Sequence, residues 1–168
     1  MTLLKNADGH IEGFRPGAME PPGLVLRWLS KRNPRHVVGR MTGWGQDGDL
    51  TQCAGHNLNY IAVSGVLEDV GSRERGPIVP LNPIGDFGGG EMLLAHGLVS
   101  AILEAKKSGR GQVVDASMTE GSALLMTMYQ LSGRGMGSYQ RESNMNDSGS
   151  HFYHDTPPRT ASMLRSRP

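Results

Sequence analysis

A single cysteine, Cys53, occurs in 168 residues. No intramolecular disulfide can form, and the expected compartment is reducing and cytoplasmic. Aromatic residues make up 5% of the chain and apolar residues 37%, so the expected core is modest. Neither charge sign dominates: 17 Lys and Arg against 16 Asp and Glu leave a net +1. That balance argues against nucleic acid or a membrane surface as partner. No apolar run approaches the length of a membrane span, and the first residues lack the apolar stretch of a secretory signal. Metal-ligand spacings are also missing. His151, His154 and Asp155 have ligand chemistry but no partner cysteine, so no metal is assigned.

Glycine is in excess, with 24 residues. Part of that excess frames two short segments, Ala54-Gly55-His56-Asn57-Leu58-Asn59-Tyr60 and Gly85-Asp86-Phe87-Gly88-Gly89-Gly90. Each places one proton-transfer group, His56 or Asp86, among small residues that a ligand can approach. A base and an acid on separate segments are the minimum for moving a proton from one face of a carbon to the other.

The length suits one domain. Ile11 to Gly17 reads as a short extended piece entering a turn, and Leu24 to Ser30 as helical. His36 to Met41 reads as a buried strand. Asn57 to Val70 reads as one helix. Pro77, Pro80 and Pro83 mark an extended connector. Glu91 to Lys107 is the clearest helix, apolar all round and expected to be buried, with Lys106 and Lys107 suiting its C-terminal dipole and Gly109 ending it. Gln112 to Asp115 reads as a strand and Thr119 to Leu131 as a methionine-rich helix. Asp86, just before three glycines, is expected to cap the long helix, whose free N–H groups would face a developing oxyanion. Strands alternating with helices predict an α/β fold. Residues 1–135 form the expected domain, and residues 136–168 a linker and disordered tail.

Gly43-Trp44-Gly45-Gln46-Asp47-Gly48 formally matches GxGxxG after a strand. The polar, irregular Asp49 to Gly55 does not open a helix from it, so an ordinary glycine turn is the expected structure. Arg15, before Pro16, could contact a phosphate. The ten methionines are read as gap-fillers of the core.

Gly39 to Gly48 resembles a signature of the alpha-methylacyl-CoA racemases of the family III CoA-transferase superfamily. Ile11 to Gly17, Ala54 to Tyr60, Gly85 to Gly90 and Ser108 to Asp115 continue the resemblance in order. It implies a partial CoA-transferase family III fold with an incomplete Rossmann-like large domain. The implied reaction interconverts R and S 2-methyl branched acyl-CoA thioesters, His56 and Asp86 serving as base and acid on opposite faces of the α-carbon. The implied substrate-binding residues are Arg15, Gly55, His56, Asn57, Leu58, Asn59 and Tyr60. No cofactor is implied, since coenzyme A is part of the substrate. The implied partners are the acyl-CoA and a second copy or full-length chain.

Three departures accompany the resemblance. Asn57 replaces an aspartate after the histidine. Glu20-Pro21-Pro22-Gly23 lacks an arginine expected near CoA. The family's first strand–helix units and its smaller domain, with a glutamate partner for the histidine, have no counterpart here. The last twelve residues hold three Pro, three Arg and no acid, as a frameshift or early stop would leave. Two other outcomes fit the same motifs: a CoA-transferase using Asp86 as nucleophile, and a non-catalytic chain.

Overall fold

A computed structural model describes residues 3–19, 31–136 and 140–153, with side chains to Leu131 and again from Gln140. After a short 3₁₀ turn at Leu3–Lys5, strand β1 spans Gly9–Glu12 and β2 spans Val37–Thr42. Helices α1 (Asn57–Val63) and α2 (Val66–Asp69) follow, then a small antiparallel pair, β3 (Gly71–Ser72) and β4 (Gly76–Pro77). Helix α3 (Pro83–Met92) has the wide π-type winding and runs directly into α4 (Leu93–Ser108). Strand β5 (Val113–Ser117) and helices α5 (Met118–Leu125) and α6 (Thr127–Met136) complete the order.

The three longer strands form a parallel sheet in the order β1-β2-β5. Parallel neighbours need a crossover between them, and α1 to α4 lie within the β2–β5 connection. The register sets Ile11, Gly39 and Val114 side by side, and in the next row Glu12, Arg40 and Asp115. Successive side chains point to opposite faces, so these rows occupy different faces. On the first face α4 packs: Val37, Ala101 and Ala105 are buried together, with Leu98, Ile102 and Val114 against them. On the other, the buried Glu12 carboxylate pairs with Arg40 Nε at 3.0 Å and accepts the Phe14 N–H at 2.9 Å.

Several elements follow the sequence reading. Strands β2 and β5 lie where their valines predicted, and Gly109 ends α4, its N–H donating to the Ala105 carbonyl. The expected single helix over Asn57–Val70 is instead two, because Gly65 takes φ +85°, which no right-handed helix contains. The expected helix over Thr119–Leu131 likewise breaks at Met126, between α5 and α6. Pro83 does not close an extended connector but opens α3, where a proline loses no helical hydrogen bond. Burial of the long helix on all sides is corrected too. Met92, the last residue of α3, is 66% exposed, and Val99 and Leu103 are 68% and 59% exposed because α4 presses one side onto the sheet.

Leu24 to Ser30 and residues 154–168 lie outside the described residues. Residues 140–153, read from sequence as linker, form successive turns against α2 and the β3–β4 pair. Arg141 meets Glu68 at 2.6 Å, and Arg73 Nε donates to the Arg141 carbonyl at 2.8 Å. Among the described residues, no helix is long and apolar enough to cross a membrane.

Candidate functional site

Two loops leave the C-terminal ends of β1 and β2 and frame an open cleft of about 290 Å³. Gly13 to Pro16 supplies one wall, Thr42 to Trp44 the second, and Thr51, Cys53 to His56 and Tyr60 the third. Ligands of parallel sheets collect at this end of the strands. The GxGxxG match is a glycine turn, as expected, with Gly45 and Gly48 at positive φ. It contributes Gly43 and Trp44 to the cleft, and spacing alone did not single out Trp44.

Tyr60 organises the floor. Its ring meets Trp44 edge to face at 4.8 Å, and its hydroxyl donates to the Gly55 carbonyl at 2.6 Å. A Cβ on Gly43 would overlap the Tyr60 ring, so this approach requires glycine there. Burial, then the Asp86 carboxylate, hold the Tyr60 hydroxyl above its ordinary pKa and keep it a donor. The peptide before His56 is thereby clamped. His56 precedes α1, its own N–H donating to the Asn59 side-chain oxygen at 3.0 Å, and its exposed ring lines the cleft. Arg15 is exposed on the opposite wall.

The sequence-selected residues divide. Arg15, Gly55, His56 and Tyr60 line the cleft. Leu58 and Asn59 are exposed on α1 and are not among the lining residues. Asn57 turns inward and is 8% exposed. Its Oδ1 accepts the N–H of Gly85 at 3.1 Å and of Asp86 at 3.3 Å.

Asp86 is half-buried in the first turn of α3 and is not among the cleft-lining residues, although its charge reaches Tyr60. The helix cap expected of Asp86 belongs instead to Asn82, one residue before Pro83. Asn82 also donates through Nδ2 to Asp86 Oδ2 at 3.0 Å, an i to i+4 contact that fixes the carboxylate. The expected oxyanion donors at this helix start are already engaged. Asn57 takes Gly85 and Asp86, and the Phe87 N–H points to the Asn82 carbonyl at 3.4 Å.

A second polar group supports the walls. Arg40, paired with Glu12, donates from Nη1 to Gln46 Oε1 at 3.1 Å, joining β1, β2 and the Trp44 loop. Burial pushes the neighbouring Asp115 carboxyl up, with Gln46 and Arg40 opposing. Sequence reading missed this group because its members are scattered over more than a hundred positions. Among the described residues no group of three or more His, Cys, Asp or Glu could hold a metal ion.

The chain is 39% identical over 160 residues to the human protein named alpha-methylacyl-CoA racemase, and 41% identical over 152 residues to the mouse protein of that name. These matches cover 95% and 90% of this chain, but 41% and 40% of those proteins. The chain thus spans about two-fifths of the length of the curated relatives it matches. A protein from Rhodopseudomonas palustris named formyl-CoA:oxalate CoA-transferase is 33% identical over 120 residues, covering 71% of this chain and 28% of that protein. Among solved structures, a CAIB/BAIF family protein from Brucella suis superposes with TM-score 0.75 at 23% identity, over 86% of this chain and 39% of that one. That likeness shows the fold, of which this chain holds part. The profile of CoA-transferase family III matches residues 1–157, and the chain belongs to that family.

Proposed function

We propose that this chain carries the proton-transfer groups of an alpha-methylacyl-CoA racemase, interconverting R and S 2-methylacyl-CoA thioesters. One observation carries the reading. His56 opens onto the cleft, and the residue next to it in sequence is bonded to the amide of Asp86. In this reading one group takes the α-proton as a base while the other, protonated, returns a proton to the opposite face, which requires the bound acyl group to reach past Tyr60 toward Asp86, outside the cleft lining. The intermediate is the thioester enolate. Arg15 at the cleft wall supplies charge for the CoA phosphates. No cofactor beyond the coenzyme A of the substrate is invoked. The rest of a longer relative-like chain, or a second copy, would complete the acyl-CoA site. The lone exposed Cys53 fits a reducing, cytoplasmic setting.

The test is deuterium exchange at the α-carbon of a 2-methylacyl-CoA in D₂O, without an acceptor acid. Wild type should exchange, and His56→Ala and Asp86→Ala should each lose at least about a hundredfold. Exchange surviving both substitutions would sink the reading.

The likeness to the oxalate CoA-transferase supports a second reading, CoA transfer. There the Asp86 carboxylate attacks the thioester carbon, the C–S bond breaks, and CoA leaves as thiolate from an acyl-aspartyl anhydride. The openness of His56 to the cleft favours the first. Strict dependence of turnover on an acceptor acid would favour the second.

A further inference from the structure

We infer that Asn57 is a positioning residue that sets the relation between the two proton-transfer groups, an inference resting on the proton-transfer reading of His56 and Asp86. Three observations converge. Asn57 is covalently next to His56 and buried at 8% exposure, unlike the exposed Leu58 and Asn59 that follow it. Its single side-chain oxygen accepts two N–H groups, from Gly85 and from Asp86 itself. A Cβ on Gly85 would overlap Asn57 Oδ1, so glycine at 85 is what lets the amide side chain reach the start of α3.

The physical case is one of lever arms. His56, just before α1, and Asp86, within α3, lie thirty positions apart, and side-chain rotamers alone do not set the gap between them. A bond from residue 57 to the backbone of residues 85 and 86 fixes main chain to main chain, next to both groups. The remaining freedom is the short side chain of each. Asn82 restrains that of Asp86, and the Tyr60 clamp on Gly55 restrains the backbone leading to His56. A carboxylate at position 57 would accept the same two N–H groups, so acceptor geometry is the requirement rather than the amide.

The test compares Asn57→Ala, Asn57→Leu, Asn57→Asp and Gly85→Ala with wild type in two measurements. The first is amide hydrogen exchange of the ligand-free chain. Protection of the Gly85 and Asp86 amides should fall about tenfold in Asn57→Ala, Asn57→Leu and Gly85→Ala, and return in Asn57→Asp. The second is α-proton exchange on a 2-methylacyl-CoA. Here kcat should fall about a hundredfold in the same three variants, with KM within about threefold, and recover in Asn57→Asp. Recovery in Asn57→Asp separates positioning from a general loss of folding. Unchanged amide protection in Asn57→Ala overturns the inference, as does lost protection with kcat intact, or an Asn57→Asp variant no better than Asn57→Leu. A wild-type chain without α-proton exchange would defeat the racemase reading, while the amide measurement would still judge Asn57.

Discussion

The Tyr60 hydroxyl donates a 2.6 Å hydrogen bond to the carbonyl of Gly55, the residue that precedes His56. Tyr60 lies one helical turn beyond His56, so the bond closes the His56 turn on itself. It also orders the cleft floor, because the same ring packs edge to face on Trp44.

Tyr60→Phe keeps the ring and removes the bond. The expected cost is about 1 kcal/mol, read as a lower midpoint in denaturant. Exchange at the substrate α-carbon should slow by about tenfold or less, since His56 keeps its place but loses its clamp. An unchanged midpoint and rate would show that the Gly55 carbonyl finds an equivalent donor in water.

Removing one side of the Glu12–Arg40 pair leaves the other charge buried. Arg40→Met is expected to cost about 3 kcal/mol. Changing Glu12→Gln in the same chain should restore part of that loss, because the stranded carboxylate is then neutral. A double-mutant cycle by chemical denaturation reads both numbers, and strict additivity would contradict the coupling.

Acid should weaken the amino end of the sheet. The rings of His10 and His36 stack at 5.0 Å, and Nδ1 of His10 meets Nε2 of His36 at 2.7 Å. Burial, then His36, lower the pKa of His10 below its ordinary 6.5. The unfolded chain therefore takes up the proton first. Stability is highest above about pH 6.5 and is lost as pH falls toward the lowered value. Thermal melts between pH 7.5 and 5 should show the decline in wild type, and His10→Gln should flatten it.

Asp115 has the opposite sign. Burial raises its pKa, so the folded chain holds the proton more tightly than the unfolded chain does. Its contribution is fully present below the ordinary carboxylate value and is lost as pH rises through the raised one. Asp115→Asn, which keeps the shape without the charge, should melt no lower than wild type at pH 7. Its advantage should vanish near pH 3.5. A large destabilisation at pH 7 would mean that the charged form is needed by Arg40.

Part of the site was legible in the chain. His56 and Asp86 stood out because each lies among glycines and small residues, and the order of the motifs is local information. Asn57 was read as a ligand contact because Gly55 to Tyr60 resembles the substrate-binding segment of the family. Its inward turn depends on where α3 starts, and the cap of that helix was misplaced by four residues, Asp86 for Asn82: Pro83 opens the helix, so Asp86 falls within its first turn. Proline at a first helical position is a readable signal, but the nearby Pro77 and Pro80 hid it in an extended reading. Trp44 passed unnoticed because a glycine turn exposes its side chain in a direction that no spacing rule supplies.

The sequence by itself determined several of the local elements and the family-like segments. Valine pairs mark β2 and β5, and Gly109 marks the end of α4, since each depends on propensity and capping within a few residues. Tertiary structure alone decided which of these residues face the cleft. It seated Asn57 on the amides of Gly85 and Asp86, paired Glu12 with Arg40, and placed Tyr60 against Gly43. Each of these contacts joins backbone segments 17 to 29 residues apart in sequence. Their geometry follows from sheet register and helix entry angle, which no single segment encodes.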